Sequence, residues 1–294
     1  MRMGAADPRI APGGGGKIDY RISQQLRSWS KADPPPRRVR PAPVTLVNYV
    51  LHAAYASDRT SSPAEQAIAD MVCLAFFYLL RPGEYTGTTN DDAAFALDDT
   101  RLYLGPRRLN LASASIAEIQ AATSVSLYFT TQKNQRKGDA IAHGRSTDPW
   151  CCPVRSAIRR VLCHREHFAT TGTPFDPSVV LASYYHDNHR LRVLAADVTD
   201  NLRLAASACF HVTGIRPENI SARSLRAGGA MALLCAGVSP ARIKLVGRWH
   251  SDAMMQYLHQ DATPIMMRLA ARMQAQGAYS FLPSASPPAP LPEA

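Results

Sequence analysis

The stretch SARSLRAGGAMALLCAGVSPARIKLVGRWHSDAMMQYLH carries Arg223, Arg226, Arg242 and Arg248 upstream of Tyr257. Two earlier stretches carry charge of the same kind. LLRPGEY holds Arg81 and Glu84, and FTTQKNQRKGD holds Lys133 and Lys137. Guanidinium groups present rigid, paired N–H donors, and two together can clamp the oxygens of an anion. A lysine is a poorer clamp but a usable proton donor. A phenol is mostly protonated near neutral pH, and a positive neighbourhood favours its phenolate. Together these types describe an anion-handling site. The plainer alternative is a solvated basic face, and each residue has its own ordinary use. Arg81 suits a helix C-terminus, Lys133 a solvated turn, Arg226 a packing site beside Ala227-Gly228-Gly229, and Tyr257 an amphipathic helix core.

The elements that must position these residues are mostly helical. VTLVNYVLHAAYA has a continuous apolar face. Ser62, Pro63 and Glu65 spell a capping box with proline in the first turn. Ile68, Met71, Val72, Ala75, Phe76 and Leu79 follow at the spacing of a buried helical face. Pro82 and Gly83 are expected to stop that helix, leaving Arg81 and Glu84 at its exit. The period then changes. RLYL and VSLYFTT alternate and are rich in β-branched and aromatic residues, and AIAH can return as a partner strand. The reading is a small antiparallel sheet with a Lys-rich hairpin tip. Helical patterns resume at PVRSAIRRVLCHRE and DVTDNLRLAASACFHVTG, with ASYYHDNHRL as a polar loop between them. Beyond Ile220 short helices follow one another, divided by Gly237, opened by Ser239-Pro240, and opened again at Ser251 and at Thr263-Pro264. The fold class is mainly α with a small antiparallel sheet (α+β).

Composition narrows the partner. The chain has 294 residues and a net charge of +10, which favours a polyanion, most plausibly nucleic acid. No run resembles a signal peptide, and none is long and apolar enough to span a bilayer, so the expected location is intracellular. The six cysteines form no CxxC pair and read as buried thiols. Nucleotide-binding and serine-hydrolase motifs are missing, and YYHDNH is a weak metal signal. Residues 1–42, with APGGGGK and DPPPRRVRPAP, read as linker; 43–282 as the ordered body; and 283–294 as a Pro-rich tail.

In order and spacing, LLRPGEYT, the Lys133 hairpin, SLRAGGA and GRWHSDAMMQYLH resemble the catalytic domain of the tyrosine recombinase (phage integrase) family, most nearly recombinases of eukaryotic mobile elements. The resemblance covers roughly Val44 to Gln276. It implies a DNA breaking and rejoining enzyme that acts on double-stranded DNA through a 3′-phosphotyrosyl intermediate, without metal or other cofactor. It also implies a nuclear location in a eukaryote. Matched residue by residue, Arg81 and Arg226 are the clamp arginines and Glu84 the acidic residue that orients them. Lys133 is the general acid, with Lys137 its rival, and Tyr257 is the nucleophile. Two positions depart from the family pattern. Arg223 stands where a histidine opens HxxR, and Arg248 stands where histidine or tryptophan is usual, with Trp249 one residue later. These departures, and 1–42 resembling only the end of the family's N-terminal DNA-clamping domain, leave a second reading open: a DNA-binding relic that has lost catalysis. The stripe Ile265, Met266, Leu269, Ala270 and Met273 is expected to join protomers into a tetramer on DNA.

Overall fold

The computed structural model describes residues 20, 22–25, 39–56, 60–87, 94–130 and 138–249. The chain divides into two compact units, Met1–Arg38 and Val39–Ala294. In the first, Gln24 donates to the Tyr20 hydroxyl across one helical turn (2.7 Å). The second unit holds the described helices and strands from Val44 onward. It is α+β, helical in the main with a small antiparallel sheet.

Helices α1 (Val44–Tyr55) and α2 (Pro63–Phe77) open it. The Ser62 side chain accepts from Glu65 N (3.2 Å), and the Glu65 carboxylate accepts from Ser62 N (2.8 Å), so the expected capping box forms with Pro63 in the first turn. Burial of α2 goes further than one stripe. Ala67 through Phe76 are buried without interruption, because α1 and the later helices Pro153–Thr171, Ala195–Ala208 and Ser224–Cys235 all pack on it. The one charged residue in that run, Asp70, is held by Arg159 (Nε, 2.7 Å) and by the Tyr55 hydroxyl (2.9 Å). A buried carboxylate needs such partners.

The end of α2 departs from expectation. The helix stops at Phe77, ahead of Pro82, and Leu79 takes a left-handed backbone (φ 52°). Leu80 N bonds Ala75 O (3.0 Å) and Leu79 N bonds Phe76 O (3.4 Å), the paired closure of a Schellman motif. Pro82 does not end α2; it starts a separate turn, α3 (Pro82–Tyr85), with Arg81 as its N-cap.

A 3-10 turn at Leu97–Asp99 leads into β1 (Thr100–Leu104), followed by β2 (Arg107–Arg108), α4 (Ile116–Gln120), β3 (Ser124–Phe129) and β4 (Asp139–Gly144). The strand order is β2-β1-β3-β4, all antiparallel, with Thr100 opposite Leu127 and Phe129 opposite Asp139. Helix α5 (Pro153–Thr171) packs on this sheet. ASYYHDNHRL is no loop. It forms the hairpin β5 (Ser183–His186) and β6 (His189–Arg192). Its two turn residues, Asp187 and Asn188, are both left-handed (φ 48° and 62°), the requirement of a type I′ turn. Helices α6 (Ala195–Ala208), α7 (Phe210–Thr213), α8 (Ser224–Cys235) and α9 (Pro240–Val246) complete the body.

The cysteines follow the expected burial only in part. Cys73, Cys151 and Cys152 are buried, Cys163 and Cys209 half-buried, and Cys235 exposed. Among the described residues, no helix is long and apolar enough to cross a membrane.

Candidate functional site

Two buried tyrosines fix the frame. The Tyr78 hydroxyl, at the end of α2, donates to Val125 O on β3 (2.8 Å). The Tyr85 hydroxyl, on α3, donates to Ala222 O just before α8 (2.9 Å). Burial pushes both phenols well above their ordinary pKa, so both remain donors. Helix α8 then comes very close to its neighbours. A Cβ on Gly228 would lie 2.0 Å from Ala42 O, and one on Gly229 would lie 2.1 Å from Phe76 O. Gly228 therefore lets α8 lie against the backbone just before α1, and Gly229 lets it lie against the end of α2. The small residues beside Arg226 are a packing site, as one sequence reading held, and the packing carries the arginine to its place.

Arg226 is buried. Its Nη1 donates to Leu79 O (2.5 Å), and its Nη2 donates to Gly247 O. Its guanidinium lies over the Trp249 ring, 4.3 Å from the centroid. Arg248 comes in from the other side. It donates from Nη1 to Tyr78 O (3.3 Å), and from Nη2 to Leu79 O (3.4 Å) and Glu84 Oε2 (3.0 Å). Its guanidinium also lies 3.7 Å from the Phe129 ring centroid. Only 3% of the Arg248 side chain is exposed, and its Nε has no hydrogen-bond partner among the described residues. Burial, helped by the Arg81 charge, lowers its pKa to about 10 against the pull of Glu84 and Asp139, so it stays charged at neutral pH. Glu84 joins the two ends. Its Oε2 also accepts from Arg81 N (2.8 Å), and its Oε1 pairs with Arg81 Nη1 (3.1 Å). With 34% of its side chain exposed, Arg81 is the member of the group that faces solvent most.

Four of the sequence candidates are therefore linked in a row: Glu84 joins Arg81 to Arg248, and the Leu79 carbonyl joins Arg248 to Arg226, which stacks on Trp249. Arg223 does not join them. It is exposed as the N-cap of α8, where its N–H bonds Ser221 Oγ (3.3 Å). Arg242 is exposed on α9. Lys133, Lys137 and Tyr257 lie outside the described residues, as do the Ser251 and Thr263-Pro264 starts, the 265–273 stripe and the 283–294 tail. Phe129, the last residue of β3, lies on Arg248, so the end of that strand reaches the cluster.

Some of the cluster was not predicted from sequence. The Tyr78 and Leu79 carbonyls are available because the Schellman turn leaves them without helical donors. Gly247 matters for space: a Cβ there would fall 1.6 Å from the Trp249 ring. Its place directly before Arg248-Trp249 was the available signal.

No family model and no curated protein matches the chain. Among solved structures, the Tn1549 transposon integrase in complex with transposon right end DNA aligns over 84% of this chain and 68% of its own. The identity is 16% and the TM-score 0.42, too weak a likeness to assign a family.

Proposed function

We propose that the chain is the catalytic domain of a tyrosine recombinase, cleaving and rejoining duplex DNA through a phosphotyrosyl bond. The observation that carries the reading is the convergence of Arg81, Glu84 and Arg226. They come from segments about 140 residues apart in sequence, yet Arg226 donates to the Leu79 carbonyl, two residues before Arg81, and Arg248 bridges that carbonyl to the Glu84 carboxylate that pairs with Arg81. A solvated basic face would not bury Arg226 or pair Arg81 to a buried carboxylate.

In the proposed reaction the Tyr257 hydroxyl gives up its proton to solvent, favoured by the positive neighbourhood, and the phenolate oxygen attacks the scissile phosphorus. The P–O5′ bond breaks, and the 5′-oxygen takes a proton from Lys133 or its rival Lys137. Arg81 and Arg226 bind the non-bridging oxygens, where charge gathers in the transition state. Glu84 keeps the Arg81 guanidinium aimed. The net charge of +10 draws the duplex in, and binding falls steeply with salt.

The test is a nicked suicide duplex carrying the terminal sequence of the element that encodes the protein. The expected product is a covalent protein–DNA adduct, lost in Tyr257→Phe. An adduct that survives this substitution removes the nucleophile assignment. Salt-sensitive binding with no adduct favours the relic reading.

A further inference from the structure

Arg248 stands where the resemblance expects a histidine or tryptophan that touches phosphate, yet its side chain points into the protein. Its Nη1 and Nη2 donate to the Tyr78 and Leu79 carbonyls, as those of Arg226 donate to Leu79 O and Gly247 O, but Arg248 is at once only 3% exposed, paired to the Glu84 carboxylate and covered by the Phe129 ring. The backbone is equally committed. Arg248 is left-handed (φ 57°) at the position after a helix C-cap that favours glycine. Arg248 N bonds Leu245 O (3.1 Å) and Trp249 N bonds Lys244 O (3.0 Å), closing a Schellman motif at the end of α9. This turn also supplies Gly247 O and the Trp249 ring, two walls of the Arg226 seat. Non-glycine residues hold such a backbone only where the surroundings enforce it, and such places cluster at functional sites.

We propose that Arg248 is a positioning residue rather than a phosphate ligand, an internal clip that fixes Arg81 through Glu84 and Arg226 through the shared Leu79 carbonyl. Glu84 touches both arginines with one carboxylate: Oε2 takes Arg248 Nη2, and Oε1 takes Arg81 Nη1. Without Arg248, Glu84 is left with Arg81 alone and the Leu79 carbonyl with Arg226 alone, so both clamp arginines lose their common reference point. The plane of a guanidinium suits this task. It reaches two carbonyls and a carboxylate from one group, which an ammonium cannot do with the same geometry.

The cleavage arm of the test rests on the recombinase reading; the binding arm does not. Duplex affinity is measured across a salt series for the parent, Arg81→Met and Arg248→Met. A phosphate ligand, when removed, lowers the slope of log K against log salt by about one. The expected result is that loss for Arg81→Met and an unchanged slope for Arg248→Met. With suicide duplex, Arg248→Met is expected to slow adduct formation about 10- to 100-fold. Glu84→Gln combined with Arg248→Met should slow it no more than the worse single variant, because the two act as one unit. Arg248→Lys, which keeps the charge and is the variant to read if the methionine protein does not fold, should recover only part of the rate with the slope still unchanged. A slope lowered by about one in either Arg248 variant, a parental rate in Arg248→Met, or additive losses in the double variant would each overturn the proposal. If the parent forms no adduct, the recombinase reading fails, and the salt slopes together with the Glu84–Arg248 coupling in duplex affinity still decide the role of Arg248.

Discussion

Leu79 and Arg248 each hold a left-handed backbone without being glycine, and each closes a helix that points its end at the same few ångströms of space. A non-glycine residue there costs about 1–2 kcal/mol. Packing of Leu79 against Ala230 and Met231, and of Arg248 under Phe129, holds them in place. A different residue contributes to the acid response. His164 on α5 is buried, bonding the Tyr185 hydroxyl through Nδ1 (2.9 Å), with Arg160 and His167 on its own helix and Arg190 on β6 nearby. Burial first, and the Arg160 charge second, lower its pKa to about 3. In the unfolded chain the value returns to about 6.5. Between these values the unfolded state binds the proton and the folded state does not. The His164 contribution is thus complete above pH 6.5 and is lost as pH falls toward 3, by up to about 1.4 kcal/mol per pH unit. Urea midpoints at pH 7.5 and pH 5 should show this loss, and His164→Gln should flatten it. An equal loss in the variant would assign the acid sensitivity elsewhere.

At the scale of elements, α8 is placed by two glycines that helix propensity alone would disfavour. Alanine at either position should add up to about 1 kcal/mol from propensity. The contacts at 2.0 and 2.1 Å are with backbone, which cannot swing away, so the overpacking cost of about 1–3 kcal/mol decides the sign. Gly228→Ala and Gly229→Ala are therefore expected to melt several degrees below the parent by circular dichroism. A higher melting temperature in either would mean that α8 is free to shift. What was legible in the sequence follows the same division. Features written in local chemistry were readable: the Ser62 box, the β1, β3 and β4 alternation, and the Ser239-Pro240 start. The end of α2 was misread because proline is the usual stop signal, while the actual stop uses Leu79 in a conformation whose usual marker is glycine. The β5–β6 hairpin was missed because its Asp187-Asn188 turn lacks the customary glycine and its strands are only four residues each. The convergence of Arg81 with Arg226 was readable only through a resemblance. The burial of Arg248 was not readable at all, since it depends on Phe129 and Tyr78 from other elements.

Across the whole body, the arginine cluster lies at a seam. One large core runs from α1 through the sheet to Leu225, while a small separate cluster gathers Leu79, Ala230, Met231 and Ile243, with Trp249 packed against it. Arg226 sits between Leu225, in the large core, and Ala230, in the small one. The last described helix, α9, rests on the small cluster through Ile243, the one residue of that helix that is fully buried. This arrangement predicts two levels of stability, because a cluster of so few apolar groups can open without the main core following. Ile243→Ala removes a buried side chain and leaves a cavity, a change worth about 2–5 kcal/mol where the site cannot collapse. Hydrogen exchange should show α9 and the Gly247–Trp249 turn opening much more readily in this variant, with the amides of α2 and α5 keeping parental protection. Adduct formation should fall with it, since the turn carries the Gly247 carbonyl and the Trp249 ring that seat Arg226. Loss of protection in α2 to the same extent as in α9 would mean that the body unfolds as one unit and that the seam has no independent motion to regulate.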